Sequence, residues 1–271
     1  MKPLLFMTTP KLLFSKIPVG NHRMKYFLCY LPPMDPEYHQ QSSYFDVSAN
    51  RFAQNLLSEL SPAHELELGA LADYLSLPPG STLIDFGCGS GRVSLYFLER
   101  GYHVIGVDVS RKSLNDLEKY YCTHKNPSWG RFESRPTLPS AAKVRAIAGA
   151  DVLHHVNISR YLPLFHRLLV PGGKIAFSEP NSYHFPWYIH YFTNHIPWSI
   201  EKGIMQCSLF NFRRLLGKAG FDSFTVRGHG LLPTPLFNSF PNLCRVNAMR
   251  WGNFPLLRLF AFRYLVLAQK H

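Results

Sequence analysis

The chain has 271 residues, 46% of them hydrophobic and 17% charged, which is enough for a sizeable core and excludes a disordered chain. Five scattered cysteines with no C-x-x-C pair exclude a disulfide framework and a zinc ribbon, and suit a reducing, cytoplasmic setting. The net charge of +12 sits at the ends: 1–34 hold five basic residues and no acid, 223–271 hold six and no acid, and 35–222 hold 18 basic against 17 acidic residues.

Residues 1–34 form a basic, apolar leader in which Pro3, Pro10 and Pro18 break up any signal-peptide core. An organelle-targeting role for this leader, and a start at Met24 or Met34, stay open. No apolar run reaches the roughly 18 residues of a membrane span, since Arg258 and Arg263 interrupt the best stretch, 255–268. A body over 35–271 follows. Apolar residues at helical spacing predict helices over 46–60 and 63–75, closed by Pro78-Pro79-Gly80. Next come strand 82–87, helix 91–100, strand 103–108, helix 111–124 and a weak strand from Phe132. Strand 144–151, helix 159–169, a stop at Pro171-Gly172-Gly173 and strand 174–178 continue the pattern. Helix 209–218 and strands 224–226 and 264–267 end it. Alternation of this kind predicts an α/β fold, a doubly wound and mostly parallel sheet with helices on both faces.

The most informative stretch is Asp85-Phe-Gly87-Cys88-Gly89-Ser-Gly91, between the first strand of that sheet and a helix. Glycines admit positive φ and let a ligand approach the backbone, and spare N–H groups at a helix start favour anionic or electron-rich atoms. The dinucleotide fingerprint fails, because its third glycine would fall at Arg92. Asp108 ends the next strand about 20 residues on, where a carboxylate can accept both ribose hydroxyls of a nucleoside. Its competing role is as a cap of the following helix, a position that Ser110 also suits.

The D-x-G-x-G-x-G spacing resembles motif I of class I S-adenosylmethionine-dependent methyltransferases. The order of later landmarks is similar to the small-molecule and lipid branch, including ubiquinone and menaquinone biosynthesis enzymes: Tyr44-Phe45-Asp46, Val107-Asp108, the segment 151–156, Pro171-Gly172-Gly173 and Ala219-Gly220-Phe221. The resemblance implies a seven-stranded, Rossmann-like sheet with an antiparallel last strand, and S-adenosyl-L-methionine as cofactor. It implies Gly87 and Gly89 beneath the methionine part, Asp85 orienting the amino group, and Asp108 on the ribose. Cys88, Gly91, Val109 and Asp151 complete the expected cofactor contacts. The adenine-side Asp of the family is replaced, so Glu133 and Ser134 stand in for it. The fourth strand opens with Val144-Arg145 in place of the usual Phe-Asp. No metal is expected.

Methyl transfer needs alignment and shielding from water more than acid–base help, and a base only for a hydroxyl or acidic carbon. His154 and His155, just after the fourth strand, are the candidate catalytic residues; capping of the strand end is their competing role. Nine of the sixteen residues in 183–198 are aromatic or aliphatic. With 231–256 they predict lid-like insertions, at 183–205 and 231–256, around a hydrophobic small-molecule acceptor; a helix packed on the sheet is the plainer reading of the first. The basic, apolar ends suit a peripheral membrane surface better than a nucleic acid, although solvated Lys and Arg tips on packed segments would look the same. An RNA or DNA methyltransferase and a non-catalytic cofactor-binding subunit are the alternatives. The first lacks an Asn/Asp-Pro-Pro-Phe/Tyr motif after the fourth strand.

Overall fold

In the computed structural model, which describes residues 36–47, 60–141 and 143–271, the central strand β1 (Thr82–Phe86) is buried from Leu83 onward. Burial on both faces is what a continuous apolar run in a parallel sheet requires. Contacts divide the chain into two units, 1–40 and 41–271. Of the first, the described part is the opening of helix α1 (Pro36–Val47). The rest of α1 and all later elements belong to the second. The leader over 1–34 and most of the helix expected over 46–60 lie outside the described residues.

Helix α2 (Pro62–Leu75) starts at Ser61, whose hydroxyl accepts from His64 N, with Pro62 at the first helical position. After β1 come α3 (Arg92–Leu98), β2 (His103–Val107), α4 (Arg111–His124), β3 (Phe132–Arg135) and β4 (Val144–Ala150). A 3₁₀ turn over Leu153–His155 leads to α5 (Ile158–Leu168) and β5 (Leu169–Pro180). Helices α6 (Pro186–Thr193), α7 (Trp198–Glu201) and α8 (Leu209–Lys218) precede β6 (Ser223–His229). Helix α9 (Pro241–Met249), flanked by 3₁₀ turns, and β7 (Arg263–Gln269) complete the fold.

The seven strands form one sheet in the order β3-β2-β1-β4-β5-β7-β6. Leu83 lies beside both Val104 of β2 and Ala146 of β4 in parallel register, while β7 runs antiparallel to β5, with Ala176 beside Leu267. One face packs Phe86, Phe165, Phe177 and Phe212 under α5 and α8. The other packs Leu83, Val104 and Leu267 under α2, α3 and α4, through Leu68, Leu71, Phe97 and Leu117. The sheet is the expected one, mostly parallel with an antiparallel end.

Helix α5 ends at Leu168, ahead of Pro171-Gly172-Gly173 as expected, but β5 opens at Leu169 and not at 174, so the three residues become an irregularity inside the strand. Gly172 takes φ +75°, and its N–H donates to Lys270 O at 2.8 Å while Lys270 N donates to Gly173 O at 2.9 Å. Pairing with the β7 edge thus carries the strand through the turn residues. Strand order reverses between β1 and β4, so the loops after β1 and β4 diverge. The crevice they leave at the strands' C-terminal ends is where open α/β sheets bind ligands.

Candidate active site

The turn after β1 is held from below. Gly87 N and Cys88 N both donate to Val107 O, at 2.7 and 3.1 Å. Gly87 and Gly91 adopt φ +74° and +104°. A Cβ on Gly87 would stand 2.2 Å from Val152 Cγ2, and one on Gly91 would stand 2.5 Å from Leu117 Cδ1. The turn is therefore wedged between the loop after β4 and helix α4, and only glycine fits at these two points.

Asp108 joins the turn to α4. Its Oδ2 accepts Gly89 N and its Oδ1 accepts Ser110 N, each at 2.8 Å. Burial pushes its pKa up, partly offset by these backbone donors. Each carboxylate oxygen retains a lone pair, so the group can still accept two vicinal hydroxyls. The capping role proves to belong to Ser110, whose hydroxyl accepts Ser113 N at 3.1 Å.

Beneath the turn Asp85 is fully buried. Ser94 Oγ donates to Oδ2 at 2.7 Å, while Oδ1 has no hydrogen-bond partner. Burial pushes its pKa up to about 7. An orphaned buried acceptor is costly, and a cationic amino group or a water it orients would satisfy it. The residues present thus fit the nucleoside and amino-acid ends of S-adenosylmethionine. Cys88 is buried, with its thiol pushed up by burial. Val109 is half-buried, and its carbonyl accepts Ser42 Oγ at 3.2 Å.

The second half of α1 spans the crevice. Asp46 Oδ1 accepts Ser110 Oγ at 2.7 Å, Phe45 meets the His155 ring edge-on at 5.2 Å, and Gln41 Nε2 donates to Ile200 O at 3.2 Å. Tyr44, Phe45 and Asp46 thus lie in the last turns of α1. On β3, Glu133 is exposed and paired with Arg135, and Ser134 Oγ lies 3.5 Å from Glu118 Oε2 of α4. Both stand-ins for the adenine-side Asp are thus engaged with neighbours on β3 and α4.

At the mouth after β4, Asp151 takes φ +57°. Its carboxylate receives Arg92 Nη2 at 2.5 Å and Arg263 Nη2. Burial opposes its ionisation, but Arg263 and Arg92 outweigh that and hold it well below the usual carboxylate range. Arg263 Nε reaches Glu67 at 3.1 Å and Ser178 Oγ at 2.9 Å. Two guanidiniums and two carboxylates thus form a chain across α2, α3, β4 and β7.

His154 is not the free base expected. Its Nδ1 bonds Glu179 at 2.7 Å and its Nε2 lies 3.3 Å from Glu201. Burial alone would lower its pKa, but the two carboxylates push it up to about 10, so it is an imidazolium with no lone pair to offer. His155 is the opposite case. Burial and the neighbouring His154 charge push it down to about 3, and its Nδ1 lies 3.3 Å from Ile200 O. It stays neutral, and with Nδ1–H donating to that carbonyl its Nε2 keeps a lone pair. His154, His155 and Glu201 bring one donor atom each within 4.8 Å of one another, but with His154 protonated and held by two carboxylates the grouping is a hydrogen-bonded cluster and not a ready metal site. Sequence reasoning missed Glu67, Glu179, Glu201 and Arg263. Of these only Glu179, directly at a strand end, carried a local signal.

The insertion after β5 makes short helices. Trp187 stacks on Phe262 at 4.7 Å and donates from Nε1 to Phe262 O at 2.8 Å, while Tyr191 is buried. Glu201 on α7 returns this insertion to His154.

Comparison with known proteins agrees with this architecture. Solved structures similar in fold include the geranyl diphosphate C-methyltransferase of Streptomyces coelicolor, with TM-score 0.58 and 15% identity over 89% of this chain and 100% of that one. Another is the magnesium protoporphyrin IX methyltransferase of Synechocystis with bound SAM, with TM-score 0.54 and 15% identity over 89% and 100%. By sequence, the chain is 32% identical to an S-adenosyl-L-methionine-dependent Diels-Alderase of Talaromyces variabilis, over 40% of this chain and 39% of that protein. It is 27% identical to the ubiquinone biosynthesis O-methyltransferase of Stutzerimonas stutzeri over 53% and 63%, and 25% identical to that of Idiomarina loihiensis over 66% and 77%. The chain thus spans less than two thirds of the first two relatives. A family model described as a methyltransferase domain matches residues 51–226, more than half of the chain, and the chain belongs to that family, with the fold of the class I S-adenosylmethionine-dependent methyltransferases.

Proposed function

We propose that the protein transfers a methyl group from S-adenosylmethionine to a small hydrophobic acceptor. The observation that carries the cofactor half is Asp108, fixed by Gly89 N and Ser110 N at the end of β2 beside a turn that tolerates no Cβ at Gly87. S-adenosylmethionine supplies the methyl group on a sulfonium, already activated toward a nucleophile. Asp108 would hold the ribose, Gly87 and Gly89 would underlie the methionine part, and Asp85 would orient its amino group. The remaining work of the chain is to align an acceptor and keep water out.

The acceptor side supports a hydrophobic compound. The mouth after β4 is flanked by Phe45, Trp187 and Tyr191, aromatic side chains of the kind that line small-molecule pockets. His155, neutral in this setting, is the residue able to accept a proton or hydrogen bond from an acceptor hydroxyl; His154 is a positioning residue. The named relatives fit a small acceptor: two are named for ubiquinone biosynthesis, and one solved neighbour was crystallised with geranyl diphosphate.

Titration calorimetry with S-adenosylmethionine and S-adenosylhomocysteine, repeated on Asp108→Ala, tests the cofactor half. Transfer of radiolabelled methyl to cell extract, followed by organic extraction, tests the acceptor half. Label in the organic phase supports the proposal, and label in nucleic acid overturns the acceptor class. Binding without any transfer would favour a cofactor-dependent role other than methylation.

A further inference from the structure

The insertions after β5 and β6 present an apolar face that is uncovered among the described residues. Phe185 at the start cap of α6, and Ile189 and Phe192 within it, follow one another at helical spacing, and Phe185 and Phe192 are 69% and 83% exposed. The opposite side of the same helix is also apolar, with Trp187 stacked on Phe262 and Tyr191 buried. A helix apolar on both sides needs a second apolar environment. His184 Nδ1 donates to Phe260 O at 3.0 Å and Trp187 Nε1 to Phe262 O at 2.8 Å. These bonds seat α6 against the end of the second insertion, where Leu256 is 79% exposed. Leu256 adopts φ +68°, a left-handed conformation costly for a leucine, yet its side chain gains no packing there.

Charge selects what covers this face. From residue 223 to the end the chain has no acidic residue, and Arg245, Arg250 and Arg258 are exposed among the apolar side chains of the second insertion. Exposed aromatics and aliphatics with interspersed arginines and no carboxylates match an anionic bilayer interface, which takes apolar side chains into the acyl boundary and guanidiniums at its phosphates.

We propose that the face formed by α6 and the 254–260 turn docks on an anionic phospholipid surface. Docking extends the reading of a hydrophobic acceptor: the helix that enters the bilayer with Phe185 and Phe192 carries Trp187 and Tyr191 on its inner side, so an acceptor dissolved in the membrane would be delivered along it. Vesicle binding needs neither cofactor nor acceptor, so the docking can fail while the methyltransferase reading stands, and the reverse.

The test is co-sedimentation of the full chain with phosphatidylcholine vesicles, with and without phosphatidylglycerol, at low and high salt. The expected result is binding to the phosphatidylglycerol vesicles that weakens with salt. Phe185→Ser/Phe192→Ser/Leu256→Ser, three exposed positions whose replacement leaves the melting temperature unchanged, should lower the partition coefficient about tenfold or more. Arg250→Glu/Arg258→Glu should abolish the preference for anionic lipid. No binding by the parent overturns the proposal. So does unchanged binding by the triple serine variant, which would place the membrane contact elsewhere. A parent dimer that the triple variant converts to monomer also overturns it, by making a second copy the occupant.

Discussion

Glu179 and His154 form a buried pair in which Nδ1 of the imidazole lies 2.7 Å from the carboxylate. Glu179 is fully buried and also accepts Val152 N and Leu153 N at 2.9 and 2.8 Å. One strand-end carboxylate thus folds the loop after β4 and holds the imidazole. Through His154 Nε2 and Glu201, the same pair ties the β5–α8 insertion to the mouth of the site.

Replacing His154 by Ala leaves Glu179 buried beside fewer donors, and should cost about 3–5 kcal/mol, read as a fall in the midpoint of urea unfolding. The pH dependence has a definite sign. The folded-state pKa of His154 is raised from 6.5 to about 10. Its stabilisation is therefore complete below about 6.5 and is lost as pH rises through about 10. Melting curves of parent and His154→Gln should converge over that window. A constant gap would mean that His154 is neutral in the folded protein.

Asp108→Ala removes the acceptor of Gly89 N and Ser110 N along with the proposed ribose ligand. Charge-assisted bonds are each worth about 1.5–3 kcal/mol, so the dissociation constant for S-adenosylhomocysteine should rise about a hundredfold. Asp108→Asn keeps one acceptor oxygen and should fall between. Calorimetry that finds all three proteins equal would remove Asp108 from the cofactor site.

The parts of the site that are local in the chain were legible; those assembled by the sheet were not. The turn 85–91 and Asp108 lie within one βαβ unit, so glycine chemistry and strand-end position announce them. Arg263 meets Asp151 across 112 positions, only because β7 runs antiparallel beside β5 and brings its first residue to the C-terminal edge. An arginine opening a strand carries no such signal in its own neighbourhood. His154 misled for a related reason: a histidine after β4 reads as a base until Glu179 and Glu201, far along the chain, close on both its nitrogens. The helix before Pro171-Gly172-Gly173 stops as those residues announce, but the strand after it starts five residues earlier than expected, because pairing beside β7 outweighs local turn preference.

Gly87→Ala combines a positive φ with a Cβ placed 2.2 Å from Val152 Cγ2. The backbone term alone is on the order of 1–3 kcal/mol, and relief of the clash would move the turn away from β4. Both stability and cofactor affinity should fall. Adding Val152→Ala removes the Cγ2 contact but leaves Cβ of residue 152 at 2.6 Å and the φ penalty in place, so the double variant should recover only a small part of the loss. A double-mutant cycle over these two positions measures that coupling, and strict additivity would show that the two residues do not press on each other.

Asp85 makes the cofactor affinity itself depend on pH. Burial raises its pKa from 3.8 to about 7, against the opposing bond from Ser94, and Oδ1 has no partner. In the folded protein without cofactor the group is protonated in mild acid and ionises as pH climbs through about 7. Its contribution to stability is therefore full below about 3.8 and lost as pH rises to about 7, so the parent should lose stability relative to Asp85→Asn between about pH 4 and about pH 7 and run parallel to it above. An ammonium group placed above the turn prefers the ionised form. S-adenosylhomocysteine should thus bind the parent more tightly with rising pH over the same interval, releasing a proton below the midpoint, while Asp85→Asn binds weakly and without that slope. Calorimetry in two buffers of different ionisation enthalpy separates proton release from binding. A flat profile for the parent would mean that Asp85 serves only Ser94 and the packing under the turn.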